Sequence, residues 1–101
     1  MRVCWCEHAR SQVREVFACG ARDRPETAER LLKGFLTHVE RLGEFPEQGR
    51  VRGDGRRPDL RQVLHGSYRI VYRVGEGEIA ILSGRHTRMQ PEQSAADLGE
   101  P

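Results

Sequence analysis

Tyr68-Arg69-Ile70-Val71-Tyr72-Arg73-Val74, then Gly75-Glu76-Gly77, then Ile79-Ala80-Ile81-Leu82-Ser83: the reading of residues 68–83 decides the fold. β-Branched and aromatic residues alternate with arginine in the first segment, the period-two pattern of a strand with one face buried. The glycine pair turns the chain, and a second apolar strand returns. Just upstream, residues 60–64 read as a shorter strand, and His65-Gly66 suits a tight two-residue hairpin turn. Alternation sends Tyr68, Ile70, Tyr72 and Val74 towards a core and Arg69, Val71 and Arg73 to the opposite face. With a three-residue turn at 75–77, Ile79 and Ile81 fall on the face of Val71. That face would then be apolar at its centre and ringed by arginine, a surface that needs a covering partner.

The residues before this sheet have a helical period. Pro25 opens a helix over residues 25–43 at a position where its missing N–H costs nothing. Glu26 and Glu29 favour the positive end of its dipole. Ala28, Leu31, Leu32, Phe35, Val39 and Leu42 form its apolar stripe, and Gly43 ends it. An earlier helix carries Ala9, Val13, Val16 and Phe17, with Gly20 as its expected stop. The linker Ala21-Arg22-Asp23-Arg24 is short enough to fold the two helices into an antiparallel hairpin. Residues 2–6 read as a first strand with Val3 and Trp5 on one face. Phe45 is expected to plug the hairpin end, Pro46 and Gly49 to punctuate a turn, and residues 51–58 to form a mobile loop. The order β-α-α-β-β-β is an α+β domain, a helical hairpin packed on a twisted antiparallel sheet. It spans residues 1–90, with residues 91–101 as an acidic, mobile tail.

A chain of 101 residues suits one modest core. Its net charge is only +2, but the charges are segregated. Residues 49–90 hold nine arginines against Asp54, Asp59, Glu76 and Glu78, whereas the tail holds Glu92, Asp97 and Glu100 with no base. The second half is thus a basic surface for a polyanionic or acidic partner. Arg50, Arg52, Arg56, Arg57 and Arg61 cluster in one segment of it, and Arg69 and Arg73 are held in register by a strand. Guanidinium forks bind carboxylate and phosphate bidentately and stay charged. No apolar run approaches the roughly 20 residues that span a bilayer, and Glu7 and His8 interrupt the N-terminus before any signal-peptide core. A cytoplasmic protein without membrane contact is expected.

Cys4, Cys6 and His8 would share one face of an extended strand, and Cys19 could complete a metal set. The Cys-x-Cys-x-His spacing is not that of zinc sites, so the cysteines read as small buried hydrophobes, and no metal or cofactor is expected. Catalysis has few candidates. A ribonuclease needs a base for the 2′-hydroxyl and an acid for the leaving oxygen. Of the two histidines near the basic sheet, His65 reads as a turn residue, so His86 is the candidate, with Arg69, Arg85 and Arg88 to hold phosphate.

Pro25-Glu26-Thr27-Ala28, Phe45-Pro46-x-x-Gly49-Arg50, Pro58-Asp59-Leu60-Arg61, Tyr68-Arg69-Ile70-Val71-Tyr72, and Ile81-Leu82 followed by Arg85-His86 stand in an order and spacing that resemble the RelE/ParE superfamily of type II toxins. The resemblance runs from Val3 to about Arg88. It implies the same helical hairpin on a sheet and a cognate antitoxin, ParD-like, whose C-terminal segment wraps the toxin. RelE-like members cut messenger RNA on the ribosome; ParE-like members inhibit DNA gyrase. Arg69 matches the arginine of the RelE-like block, and Thr87 or Arg88 falls near a second one. The strand at 60–64 has no lysine, and no tyrosine follows Arg88. The Phe-Pro-x-x-Gly-Arg turn and the Arg-His end look more like the ParE branch. Cys6-Glu7 stands where the superfamily commonly has a Ser-Pro helix start.

The resemblance therefore implies a gyrase inhibitor rather than an enzyme. A ribosome-dependent ribonuclease and a toxin-derived module without toxicity are the alternatives, and a homodimer is a further association open to the chain. Contacts to target or antitoxin are expected from Arg50, Arg61, Arg69, Arg73, Arg85, His86 and Arg88.

Overall fold

A computed structural model describes residues 1–52 and 56–88. The elements are β1 (Arg2–Trp5), α1 (Glu7–Asp23), α2 (Pro25–Glu44), β2 (Arg50–Val51), β3 (Leu60–His65), β4 (Tyr68–Val74) and β5 (Glu78–His86). They form one five-stranded sheet in the order β1-β5-β4-β3-β2, with the two helices on one face. The strands from β2 to β5 pair antiparallel. β1 lies alongside β5 in parallel, because the helical pair carries the chain across the sheet before it returns. The tail expected over residues 91–101 lies outside the described residues, as does the centre of the loop expected over 51–58. The start of that loop is instead β2, which pairs with β3.

Cys6 caps α1. Its backbone is extended, and its thiol sulfur accepts the Ala9 N–H at 3.5 Å while the thiol faces the Leu82 carbonyl at 3.4 Å. Sulfur thus fills the role that a hydroxyl takes at most helix starts. Gly20 does not end the helix. A glycine stops a helix by adopting a left-handed backbone, and among the described glycines only Gly66 and Gly77 have positive φ. Instead α1 runs on to Asp23, and Arg24 alone joins it to Pro25, its N–H donating to the Gly20 carbonyl. At Gly20 an added Cβ would lie 3.5 Å from the Ala28 methyl, so small residues face each other where the hairpin closes.

α2 buries Ala28, Phe35, Val39 and Leu42, with Leu32 packed partly buried beside them. Leu31 is 52% exposed, so the apolar stripe is narrower than its sequence period suggests. Phe45 is 62% exposed and plugs nothing. The hairpin end is closed from the sheet side by Tyr72, whose hydroxyl accepts the Gly49 N–H at 2.9 Å and donates to the Pro46 carbonyl at 2.7 Å. Gly49 has no room for a side chain there, since a Cβ would stand 2.6 Å from that hydroxyl.

The register of β4 and β5 differs from expectation. The Gly75 N–H donates to the Glu78 carbonyl, so the loop proper is Glu76-Gly77, with Gly77 at φ +74°. Val74 therefore faces Ile79, and Tyr72 faces Ile81. One residue less in the turn moves every side chain of β5 to the other face. Ile79 and Ile81 join Ile70, Tyr72, Phe35, Val39 and Leu42 in the main core. A register shift between Val71 and Tyr72 then adds Leu82 to the outer face, where it packs with Val71 and Leu60. Beyond the bulge, Ser83 and Gly84 turn back to α1: the Gln12 side-chain oxygen accepts the Ser83 hydroxyl at 3.1 Å and the Gly84 N–H at 2.9 Å. The β3–β4 turn is Gly66-Ser67, with His65 opposite Tyr68 and Gly66 at φ +59°.

Candidate interaction surface

Cross-strand pairing sorts the arginines by face, since directly opposed residues share one side of a sheet. Arg69 stands opposite Arg85, and Arg73 opposite Ala80. Arg50 is opposite Gln62, itself opposite Val71. Arg50, Arg69, Arg73 and Arg85 therefore share the face away from the helices, around the Leu60–Val71–Leu82 cluster. Leu64, opposite Arg69 and 56% exposed, extends the apolar part of that face towards the hairpin tip.

The juxtaposition of Arg69 and Arg85 is costly by itself, since like charges directly opposite on neighbouring strands repel. The Arg69 Nη1 is buried and has no hydrogen-bond partner among the described residues. Two acidic groups among the described residues near this surface are engaged by other arginines. Arg57 grips Asp59 through two bonds of 3.0 and 2.9 Å and holds its carboxyl below the usual carboxylate range. Arg2 donates to Glu78 at 2.7 Å and depresses that carboxyl in the same way, with help from the Cys4 thiol. Arg73 adds a smaller field to both carboxylates.

The other expected contact residues are placed elsewhere. Arg61 is opposite Tyr72 and so lies on the helix side, where its Nη1 donates to the Gly49 carbonyl at 2.7 Å and braces the 46–49 turn. Burial raises the Tyr72 phenol above its ordinary pKa, against the Gly49 N–H and the Arg61 charge, which lower it. His86 is also on the helix side. Its ring meets Tyr68 edge-on at 5.2 Å, and Tyr68 packs on Phe17 and Phe35. Arg88 is exposed just past β5, its N–H donating to the His86 Nδ1 at 3.0 Å. The four residues considered for phosphate cleavage are therefore divided: Arg69 and Arg85 project from one face, His86 from the other, and Arg88 lies past the end of β5.

Cys4, Cys6 and His8 do not share a strand face, because α1 begins at Glu7 and takes His8 into the helix. Cys19 is exposed near the far end of that helix. Among the described residues no cluster of three or more His, Cys, Asp and Glu side chains is placed to hold a metal ion. No described helix is long and apolar enough to cross a membrane. One contact escaped sequence reading altogether. His38 of α2 and His65 of β3 bring their Nδ1 atoms to 2.9 Å. They are 27 residues apart, and no local pattern links them.

Two helices laid on one face of a twisted sheet, with a basic face opposite, are the architecture that the resemblance to the RelE/ParE superfamily implies. A solved structure titled "Chromosomal ParDE TA system from P. aeruginosa" has the same fold: its TM-score is 0.71, at 21% identity, over 85% of this chain and 95% of that one. The family model described as the ParE toxin of the type II toxin–antitoxin system parDE matches residues 3–91, and the chain belongs to that family. No curated protein sequence matches it.

Proposed function

We propose that the chain is a ParE-like toxin that inhibits DNA gyrase by binding, and that a ParD-like antitoxin neutralises it. The observation that carries this reading is the outer sheet face, where Arg69, Arg73 and Arg85 surround Val71 and Leu82. Val71 and Leu82 are already buried beneath these arginines, so the face offers guanidinium groups rather than the open apolar centre expected from the sequence. An ordered strand pair carrying them is what a binding inhibitor requires, since arginine is prominent among interface anchors. Phosphodiester cleavage requires a proton acceptor and a donor beside the same phosphate as the cations. His86, edge-on against Tyr68 on the other face, is badly placed to serve Arg69 and Arg85 in that way.

The test is a pair of assays with the purified toxin. It should block gyrase supercoiling and leave ribosome-bound messenger RNA intact in a reconstituted translation reaction. Reversing both Arg69 and Arg85 to Glu should abolish the inhibition, whereas His86→Ala should change it less than about tenfold, the effect of about 1.4 kcal/mol. Cleavage of the messenger RNA, lost on His86→Ala, would establish the ribonuclease branch instead. A chain inactive in both assays would be a toxin-derived binding module.

A further inference from the structure

The contact between His38 and His65 stands apart from the arginine face and joins α2 to the end of β3, beside the ring contact of Phe35 with His65. The imidazoles cross at 63° with centroids 5.1 Å apart, and their Nδ1 atoms are at hydrogen-bond distance. Such a bond exists only while one Nδ1 carries a proton and the other does not, because a doubly protonated imidazole has no acceptor. The pair therefore tolerates one imidazolium but not two.

The surroundings sharpen this constraint. A groove of about 430 Å³ beside the pair is lined by Gly34, Thr37, His38, Arg41, Gln48 and His65. A second pocket, on the other side of His65, is lined by Phe17, Leu31, Gly66, Ser67, Tyr68 and His86. Among the described residues, the charged or titratable side chains facing the pair are thus Arg41 from α2, Tyr68 from β4 and His86 from β5, and none in either pocket wall is a carboxylate. The His38 Nε2 is buried with no partner among the described residues. Against His65 the edge of Phe35 closes in at a centroid distance of 5.7 Å. Burial, then His65, then Arg41 lower the pKa of His38 from its ordinary value.

We infer that His38 and His65 form a proton-sensitive latch that ties the tip of the β3–β4 hairpin to α2 and releases it when the second imidazole is protonated. His65 is the last residue of β3, two positions across the turn from Tyr68 and next to the strand pair that carries Arg69 and Arg85. Protonation would thus loosen the edge of the arginine face. The latch itself does not depend on what that face binds.

The sign follows from linkage. His38 is held more neutral in the fold than in the unfolded chain, so the unfolded chain binds more protons as pH falls below the unfolded value of about 6.5. The latch contributes stability above that pH and loses it below.

The experiment compares the intact protein with the double variant His38→Asn, His65→Asn, whose amides can bond at the Nδ1 positions without titrating. Between pH 7.5 and 5.5 the parent should lose about 4–8 °C of Tm more than the variant, and amide exchange in residues 60–74 should speed up in the parent alone. Long-range nitrogen–proton spectra of the parent should show one shared Nδ1–H at pH 7.5. Equal pH slopes for parent and variant would overturn the latch. So would spectra showing both rings doubly protonated with the hairpin still protected, a readout that needs no variant. Gyrase inhibition at fixed pH, being unaffected by the double variant, separates failure of the latch from failure of the functional reading.

Discussion

At the scale of single residues, the fold leans on polar atoms that composition does not single out. Tyr72 is fully buried, yet its hydroxyl serves two backbone groups of the 46–49 turn. Tyr72→Phe keeps the ring and orphans the Gly49 N–H and the Pro46 carbonyl. A buried unsatisfied group costs about 1–3 kcal/mol, so thermal unfolding of the variant should shift down by several degrees or more, with no change in the sheet by circular dichroism. Cys6 is a second case. The residue type argues against a cap, and the thiol caps anyway because β1 and β5 fix the chain direction at the helix start. Neither role was legible in the sequence, since each depends on what the fold brings up to the side chain. That Tyr72 is core and that Tyr68 packs on the same side was legible from their alternation with arginine, though Tyr68 is only partly buried.

Among elements, α2 is the one whose sequence says most. Its proline start, its length and its buried set of Ala28, Phe35, Val39 and Leu42 follow from local spacing. Val39 is 1% exposed and packed against the sheet. Val39→Asp should leave the domain unfolded or aggregated on expression, because a lone buried carboxylate costs several kcal/mol. A soluble variant with the parent Tm would show that this helix face is not core. The sheet was less legible. Strand positions were clear from β-branched runs, but the face of β5 depends on whether its turn has two or three residues, and Gly-Glu-Gly permits both. The backbone hydrogen bond from Gly75 to Glu78 decides it, and that bond forms only when Ile79 and Ile81 can enter the core beneath Phe35.

For the whole molecule the consequence is electrostatic. The helices and the main core occupy one face of the sheet, and Arg50, Arg69, Arg73 and Arg85 are collected on the other, around the small buried cluster of Leu60, Val71 and Leu82, from strands far apart in sequence. An antitoxin segment that covers this face should carry acidic and aliphatic residues. Its binding should weaken as salt is raised from about 0.05 to 0.5 M, since screening lengths fall below the spacing of exposed charges. Isothermal titration calorimetry at several salt concentrations measures this, and a flat series would remove the electrostatic part of the reading. Reversing Arg69 and Arg85 to Glu should flatten the salt dependence as well as weaken binding.

The sequence by itself determined the element types, the helical hairpin, the strand alternation and the basic character of the second half. Each of these is carried by neighbours within a few residues, where side-chain period and turn chemistry act directly. Only the tertiary structure decided which arginines share a surface, that Arg61 and His86 turn to the helix side, and that His38 meets His65. Those outcomes depend on strand register and on packing between distant segments. A single residue more or less in the 75–78 turn exchanges the faces of β5, and the burial of Ile79 and Ile81 against α2 selects between the two.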